Sequence, residues 1–258
     1  MIIQDRMKIT SQNRLAHNIF EMKLTGKLVG EISSPGQFIH IRVSDSYELL
    51  LRRPISIASI NEEKTEITII YRAEGKGTTE LSKKREGDEV DVLGPLGNGF
   101  PVEETAAGET AILIGGGIGV PPLYELSKQL TAKGVKCVHV LGFQSENVVF
   151  YEKEFAELGE THIVTVDGTH GTAGFVTTVM EKFEEKFSTY YSCGPMPMLN
   201  AVEQMYKGQK GFLSFEQRMG CGIGACFACV CRTTEGSDKP YIKVCSDGPV
   251  FPAGVVSI

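Results

Sequence analysis

The order of apolar and polar positions changes character twice along the 258-residue chain. From Lys8 to about Glu103, short runs alternate apolar and polar residues, as in Gly36-Gln37-Phe38-Ile39-His40-Ile41-Arg42-Val43 and Glu66-Ile67-Thr68-Ile69-Ile70-Tyr71, with Gly, Pro and Asp gathered between them. Successive side chains of a strand point to opposite faces, so a period of two broken by turn residues predicts antiparallel strands forming a small barrel or sandwich. From Glu109 to about Lys210 the alternation stops. Ala111-Ile112-Leu113-Ile114, Val138-His139-Val140-Leu141 and His162-Ile163-Val164-Thr165-Val166 are near-continuous apolar runs. Between and after them a three–four spacing appears, at Val176, Val179, Met180, Phe183 and Phe187, and again at Leu199, Val202, Met205 and Tyr206. Strands that are apolar on both faces and separated by helices predict a parallel sheet covered on both sides. The tail from Gly211 has too few apolar residues for a core of its own. The predicted fold is α+β multidomain: an antiparallel β-barrel over 1–104, an α/β parallel-sheet unit over 105–210, and a small C-terminal unit over 211–258.

Composition narrows the partners. A net charge of -6 argues against nucleic acid, whose phosphates call for a basic face. No basic patch precedes a long apolar run at Met1-Ile2-Ile3-Gln4-Asp5-Arg6, so no secretory signal is expected there. The most apolar stretch, Ala111 to Tyr124, carries four glycines and two prolines and is too short to span a bilayer. A cytoplasmic location is the expectation.

Cysteine placement adds chemistry. Five of the seven cysteines lie in the last 38 residues: Cys221, Cys226, Cys229, Cys231 and Cys245. The C-x₄-C-x₂-C spacing of Cys221, Cys226 and Cys229, followed fifteen residues later by Cys245, is that of plant-type [2Fe–2S] sites. A loop wrapped round a compact anionic cluster needs small residues so that peptide N–H groups reach the sulfurs, and Gly220, Gly222, Gly224, Ala225 and Ala228 supply them. The alternative is a four-cysteine zinc site, but zinc knuckles use two C-x₂-C pairs and only one is present. Cys231, two residues past a candidate ligand, is expected to turn away and be buried, and Cys137 is expected in a strand core.

Elsewhere, Gly115-Gly116-Gly117-Ile118-Gly119-Val120-Pro121-Pro122 follows an apolar strand and opens a helix bearing Leu123, Leu126 and Leu130. Glycines let the backbone approach a pyrophosphate at a helix N-terminus, and proline suits a first turn. Val120 stands at the third glycine position, so the loop departs from the Rossmann fingerprint, and a plain strand–helix turn would read the same way. Arg52-Arg53-Pro54-Ile55-Ser56 and Tyr71-Arg72-Ala73-Glu74-Gly75-Lys76-Gly77-Thr78 place arginine and hydroxyl groups near glycine turns, as suits a phosphate-bearing ligand. The order is barrel, glycine loop on a parallel sheet, Cys193-Gly194-Pro195 turn, then cysteine loop.

With that order, the sequence resembles the ferredoxin–NADP⁺ reductase superfamily, and more narrowly the electron-transfer subunits of NAD-dependent (type B) dihydroorotate dehydrogenases. The resemblance runs over essentially the whole chain. It is carried by Leu51 to Ile57, Leu93 to Phe100, Gly115 to Leu123 and, most specifically, Ser214-Phe215-Glu216-Gln217-Arg218-Met219-Gly220-Cys221-Gly222-Ile223-Gly224-Ala225-Cys226. Ile55 stands where many superfamily members have an aromatic residue, which agrees with the narrower family. The resemblance implies FAD held by Arg53, Pro54, Ile55, Ser56, Ile70, Tyr71, Arg72, Gly77 and Thr78, and a [2Fe–2S] cluster on Cys221, Cys226, Cys229 and Cys245. Candidate NAD contacts are Gly116, Gly117 and Gly119 of the loop and Cys193, Gly194 and Pro195 of the turn.

NAD exchanges two electrons at once and an iron–sulfur cluster one, so flavin belongs between them. No Ser–His–Asp order, paired carboxylates or histidine-rich site is left for an organic substrate; the histidines, 17, 40, 139, 162 and 170, are scattered. The resemblance therefore implies a separate FMN-containing dihydroorotate dehydrogenase catalytic subunit, in a heterotetramer with two of each chain, whose electrons pass through this chain to NAD⁺ in pyrimidine biosynthesis. The alternative is the small subunit of a ferredoxin-dependent NADP⁺ oxidoreductase complex. The loop after the second strand of the nucleotide unit, Gln144-Ser145-Glu146-Asn147, has no Arg or Lys between Lys136 and Lys153, and this predicts NAD rather than NADP.

Overall fold

Six antiparallel strands close the N-terminal barrel in the order β1-β2-β5-β4-β3-β6. They are β1 (Ile3–Ala16), β2 (Ile19–Thr25), β3 (Phe38–Arg42), β4 (Arg53–Ile60), β5 (Glu66–Arg72) and β6 (Glu89–Leu96). The computed structural model describes residues 1–44, 47–183, 186–236 and 239–258. Alternation decides what fills the barrel: Ile39 and Ile41 of β3, Ile67 and Ile69 of β5 and Val90 and Val92 of β6 point inward to one core with Met7, Ile9, Met22 and Leu24. The alternate residues of β3, Phe38 and His40, point outward and are nonetheless buried, because the rest of the molecule covers that side.

The second unit is a sheet of seven strands among the described residues, ordered β10-β9-β8-β7-β11-β12-β15. Its members are β7 (Thr110–Gly116), β8 (Lys136–Phe143), β9 (Glu160–Thr165), β10 (Thr172–Ala173), β11 (Thr189–Cys193), β12 (Gly211–Ser214) and β15 (Val250–Pro252). All pairings are parallel except that of β15 with β12. The helices are α1 (Lys76–Leu81) after the barrel strand β5, then α2 (Pro121–Ala132), α3 (Glu152–Ala156), α4 (Val176–Met180) and α5 (Met196–Met205) around the sheet. α2 begins on Pro121 and Pro122, and Leu123, Leu126 and Leu130 face the sheet. The helical period predicted through Phe187 ends at Met180; Phe183 and Phe187 still pack on the core, but from irregular backbone.

The cysteine tail is stitched into that sheet. β12 and β15 lie at its edge, while β13 (Val230–Arg232) and β14 (Tyr241–Lys243) form a separate hairpin. Leu213, Phe215, Cys229, Cys245 and Phe251 of the tail share one core with Ile112, Val138 and Tyr190 of the nucleotide unit. Among the described residues, the buried side chains of the tail thus join the core of the sheet.

Barrel and sheet are held together by polar contacts at their seam. The Glu125 carboxylate of α2 accepts the Ile60 N–H at 2.9 Å, and Lys128 Nζ donates to the Ile60 carbonyl at 2.8 Å and the Ser59 hydroxyl at 2.9 Å. Tyr151 donates its hydroxyl to Glu21 at 2.5 Å.

Under α2 lies His139, fully buried, with Ser127 Oγ at 2.8 Å and Thr161 Oγ1 at 3.0 Å from its two nitrogens. Burial pushes its pKa down to about 4. The unfolded imidazole titrates near 6.5, so its contribution is complete above pH 6.5 and is lost as pH falls towards 4. The full effect is about 3 kcal/mol. Unfolding of the wild-type chain should take up about one more proton over this window than unfolding of His139→Gln. Parallel pH–stability curves for the two proteins would refute this.

Candidate functional site

Two clefts meet at Arg72, the last residue of β5. The first is lined by Phe38, by Pro54, Ile55 and Ser56 of β4, by Ile70, Tyr71 and Arg72 of β5, by Thr78 of α1 and by Ser214 to Gln217 and Met219 just after β12. It has a volume of about 220 Å³. Seven of the nine residues predicted to hold FAD line this cleft. The other two, Arg53 and Gly77, meet beside it: a Cβ on Gly77 would occupy the place of the Arg53 guanidinium. The neighbouring arginine behaves differently. Arg52 turns away, donating to the Asp91 carboxylate at 2.9 Å and 3.0 Å and to the Asp91 carbonyl at 2.9 Å. Consecutive residues of an extended chain face opposite ways, and here that divides the pair between an internal ion pair and the cleft margin.

The second cleft, of about 750 Å³, opens between β7, β8 and the N-terminal end of α5, and is lined by Gly116, Gly117, Gly142 to Ser145, Asn147, Phe175, Pro195 and Met198, with His17, Arg72 and Glu74 on the barrel side. Gly117 has a φ of 53°, and a Cβ on Gly116 would stand 2.6 Å from Met198 Sδ, so both positions require glycine for the loop to lie this close to α5. Gly119, Cys193 and Gly194 lie behind the cleft rather than along it. A Cβ on Gly119 would strike the Cys193 carbonyl, and the Cys193 thiol is buried, which raises its pKa. Those three glycine-loop and turn residues bring β7 and β11 into contact. Glu146, beside Gln144 and Ser145 in sequence, does not line the cleft; its N–H bonds to Thr169 at 2.8 Å.

Arg72 is the cation common to both clefts, 3.6 Å from Glu74. Glu216 reaches into the first cleft, where enclosure by protein raises its pKa and Arg72 opposes the rise. No cofactor role was read from the sequence for Phe38, Gln217 and Met219 at the first cleft, or for His17 and Phe175 at the second, although Gln217 and Met219 fall in the run that carries the resemblance. The clue to Gln217 and Met219 was position, since 214–219 runs directly from β12 into the cysteine loop.

Past Met219, the cysteine loop folds against the outer face of β3. Cys221 N–H donates to Cys226 Sγ at 3.4 Å, Ala225 N–H to Cys221 Sγ at 3.3 Å and Gly224 N–H to Cys245 Sγ at 3.2 Å. Burial raises the Cys221 pKa, but peptide N–H groups of Ile223, Cys226 and Ala225 and the Cys226 side chain outweigh it and bring the thiol down to about 7. Cys245 is pushed up to about 12 by burial and by the Cys229 thiol beside it. Among the described residues, no three His, Cys, Asp or Glu side chains converge as ligands of a single ion. The thiols fall instead into two interacting pairs, Cys221 with Cys226 and Cys229 with Cys245. Two thiolates for each of two irons is the demand of a [2Fe–2S] centre, and N–H groups aimed at sulfur suit its negative charge. Cys231 and Cys137 are buried, as their sequence positions predict.

Barrel, parallel nucleotide sheet and cysteine loop, in this order, define a reductase of the ferredoxin–NADP⁺ reductase type with an appended iron–sulfur module. A solved structure of an NADH-dependent reduced ferredoxin-NADP oxidoreductase superposes with a TM-score of 0.86 at 29% identity, covering 97% of this chain and 89% of the other. The cytochrome b5 reductase domain of Ulva prolifera nitrate reductase shares the fold at 17% identity, with a TM-score of 0.66 over 83% of this chain and 97% of that one. Residues 216–257 match the iron-sulfur cluster binding domain of dihydroorotate dehydrogenase B, and residues 113–204 an oxidoreductase NAD-binding domain. The chain is 62% identical over 258 residues to the dihydroorotate dehydrogenase B (NAD(+)) electron transfer subunit of Lysinibacillus sphaericus, covering 100% of both. Identity to the same subunit of Bacillus cereus is 58% over 257 residues, 99% of each. The chain belongs to the family of dihydroorotate dehydrogenase B electron transfer subunits.

Proposed function

We propose that this chain takes electrons from a dihydroorotate-oxidising catalytic subunit and passes them through a [2Fe–2S] cluster and FAD to NAD⁺. The observation that carries the reading is spatial. A loop with two pairs of thiols adjoins a cleft lined by R-x-x-S residues, and Arg72 joins that cleft to a second one beside the glycine loop. FAD would supply conversion between one-electron and two-electron transfer.

The residues have separable tasks. Cys221, Cys226, Cys229 and Cys245 hold the cluster. Arg53, beside Gly77, offers a fixed cation at the margin of the cleft for the phosphates of FAD, while Pro54, Ile55, Ser56, Ile70, Tyr71 and Thr78 shape its walls. Arg72 places positive charge where both cofactors converge, and Gly116, Gly117 and Pro195 let the dinucleotide approach the backbone. Gly119, Cys193 and Gly194 keep the two strand ends in register behind it. Ile223, Phe227, Val230 and Tyr241 are apolar yet exposed around the cysteine loop, which suits docking of the subunit that oxidises the substrate. That partner carries FMN, and two copies of each chain assemble in the cytoplasm. Among the described residues no helix is long and apolar enough to cross a membrane.

Co-purification with a dihydroorotate dehydrogenase catalytic subunit should yield a coloured complex that reduces NAD⁺ when given dihydroorotate. Turnover with reduced ferredoxin and NADP⁺ but not with dihydroorotate would favour the other complex. Flavin retention tests the barrel side: Arg53→Ala should lose most of its FAD, whereas Arg52→Ala, which breaks the ion pair to Asp91, should lower stability but keep more flavin. Greater flavin loss from Arg52→Ala would reverse the assignment.

A further inference from the structure

His40 is out of place for a strand residue facing away from the barrel core. Phe38 and His40 share the outer face of β3, two residues apart; Phe38 lines the FAD cleft, and His40 lies under the cysteine loop. The imidazole is fully buried, and neither ring nitrogen has a hydrogen-bond partner. The backbones of Arg52 and Cys221 run beside the ring without meeting it in bonding geometry. The loop residue over it is Gly222, which has a φ of 74°; a Cβ there would stand 2.7 Å from His40 Nδ1 and 3.1 Å from Leu96 Cδ1. Both its φ and the imidazole beneath it leave room for glycine alone at this position, directly beside the candidate ligand Cys221.

An imidazole presents at least one N–H donor in either protonation state. A buried donor with nothing to bond is rare and costly, and such a group calls for an account. On the cluster side, the sulfurs receive N–H groups from Cys221, Gly224 and Ala225, all belonging to the loop itself. On the barrel side, this ring lies against Gly222 of the loop.

We propose that His40 is a positioning residue through which the barrel tunes the iron–sulfur centre: its ring N–H bonds to the sulfur-bearing Cys221–Gly222 segment of the loaded site and favours the reduced cluster. The inference rests on the assignment of Cys221, Cys226, Cys229 and Cys245 as cluster ligands. Hydrogen bonds to sulfur stabilise the extra negative charge of reduction and so raise the potential. Because Phe38 and His40 sit on one short strand, the same element supports the flavin and adjusts the centre that exchanges electrons with it.

The test uses the full-length chain loaded with iron and flavin, followed by EPR-monitored redox titration with iron per chain measured on each sample. His40→Phe should keep its iron but shift the one-electron reduction equilibrium about tenfold against the reduced cluster, about 59 mV. His40→Gln, which keeps an N–H donor, should recover most of that shift, and the flavin potential should be the same in all three proteins. Ring-¹⁵N-histidine labelling of the wild type gives a readout that needs no variant: pulsed EPR of the reduced cluster should detect weak coupling to a histidine ring nitrogen. Equal cluster potentials in wild type and His40→Phe, equal shifts in Phe and Gln variants, loss of iron from both variants, or absence of ring-nitrogen coupling would each overturn the proposal. An iron-free, colourless wild-type chain would instead overturn the ligand assignment beneath it.

Discussion

Cys226→Ala should abolish the visible absorption of the cluster and reduce dihydroorotate-driven NAD⁺ reduction by the complex to background, while Cys231→Ala should leave both largely intact. The contrast follows from where the two thiols sit. Cys226 is exposed in the loop, accepts the Cys221 N–H and interacts with the Cys221 thiol, so its removal leaves one iron a ligand short. Cys231 is five residues away in sequence but lies on β13 opposite Ile242, buried in the shared core, with the Gln217 side chain as its polar neighbour. Trimming it to Ala removes one buried sulfur and should cost stability of about 1 kcal/mol, with no change in iron content. NADH oxidation by an artificial acceptor that draws electrons from the flavin should survive in both variants, because that route does not need the thiols. Iron content, the visible spectrum and the two assays check the set. Equal cluster loss in the two variants would mean that the ligand assignment is wrong.

The second large effect concerns the nucleotide. kcat/KM in the NADH-acceptor assay should favour NADH over NADPH by roughly tenfold or more, the cost of a 2′-phosphate that finds no cationic partner. The wall of the second cleft beyond β8 offers Gln144, Ser145 and Asn147, with Ser145 Oγ donating to Asn147 Oδ1 at 2.5 Å. These are neutral groups suited to a free ribose hydroxyl. The arginine lining this cleft is Arg72, which also lines the flavin cleft and pairs with Glu74. Glu146 does not line the cleft, so discrimination comes from missing positive charge rather than from direct repulsion. Introducing Ser145→Arg should narrow or reverse the preference. Parity in the wild type would refute the reading.

What could be read from the sequence followed the strength of each periodic signal. Alternation over Glu66–Ile69 and near-continuous apolar runs at Ala111–Ile114 and Val138–Leu141 identified β5, β7 and β8, because a two-residue period or its absence is set by which faces are buried. The cysteine spacing stood out because metal chemistry fixes it. Three things were not legible. The helical period from Val176 predicted a longer helix than α4, since Phe183 and Phe187 reach the same core from irregular chain. The glycine loop and the Cys193 turn read alike in sequence, yet Gly116 and Gly117 line the cleft while Gly119 and Cys193 brace it from behind; only tertiary packing separates those roles. Lastly, His40 looked like one of five scattered histidines, because its significance depends on Gly222, 182 residues further along.

The pairing of β15 with β12 has a bearing on how the protein matures. Phe212 faces Pro252, Leu213 faces Phe251 and Ser214 faces Val250, so the chain on both sides of the cysteine loop is pinned to a sheet built without metal. The entropy of closing that long loop is lost during folding, not when iron arrives. The strand pairing that brackets the loop uses none of the four candidate ligand cysteines, in contrast to small domains whose scaffold is assembled by the metal itself. The pairing also covers the flank of β12, which would otherwise offer a free edge to other chains.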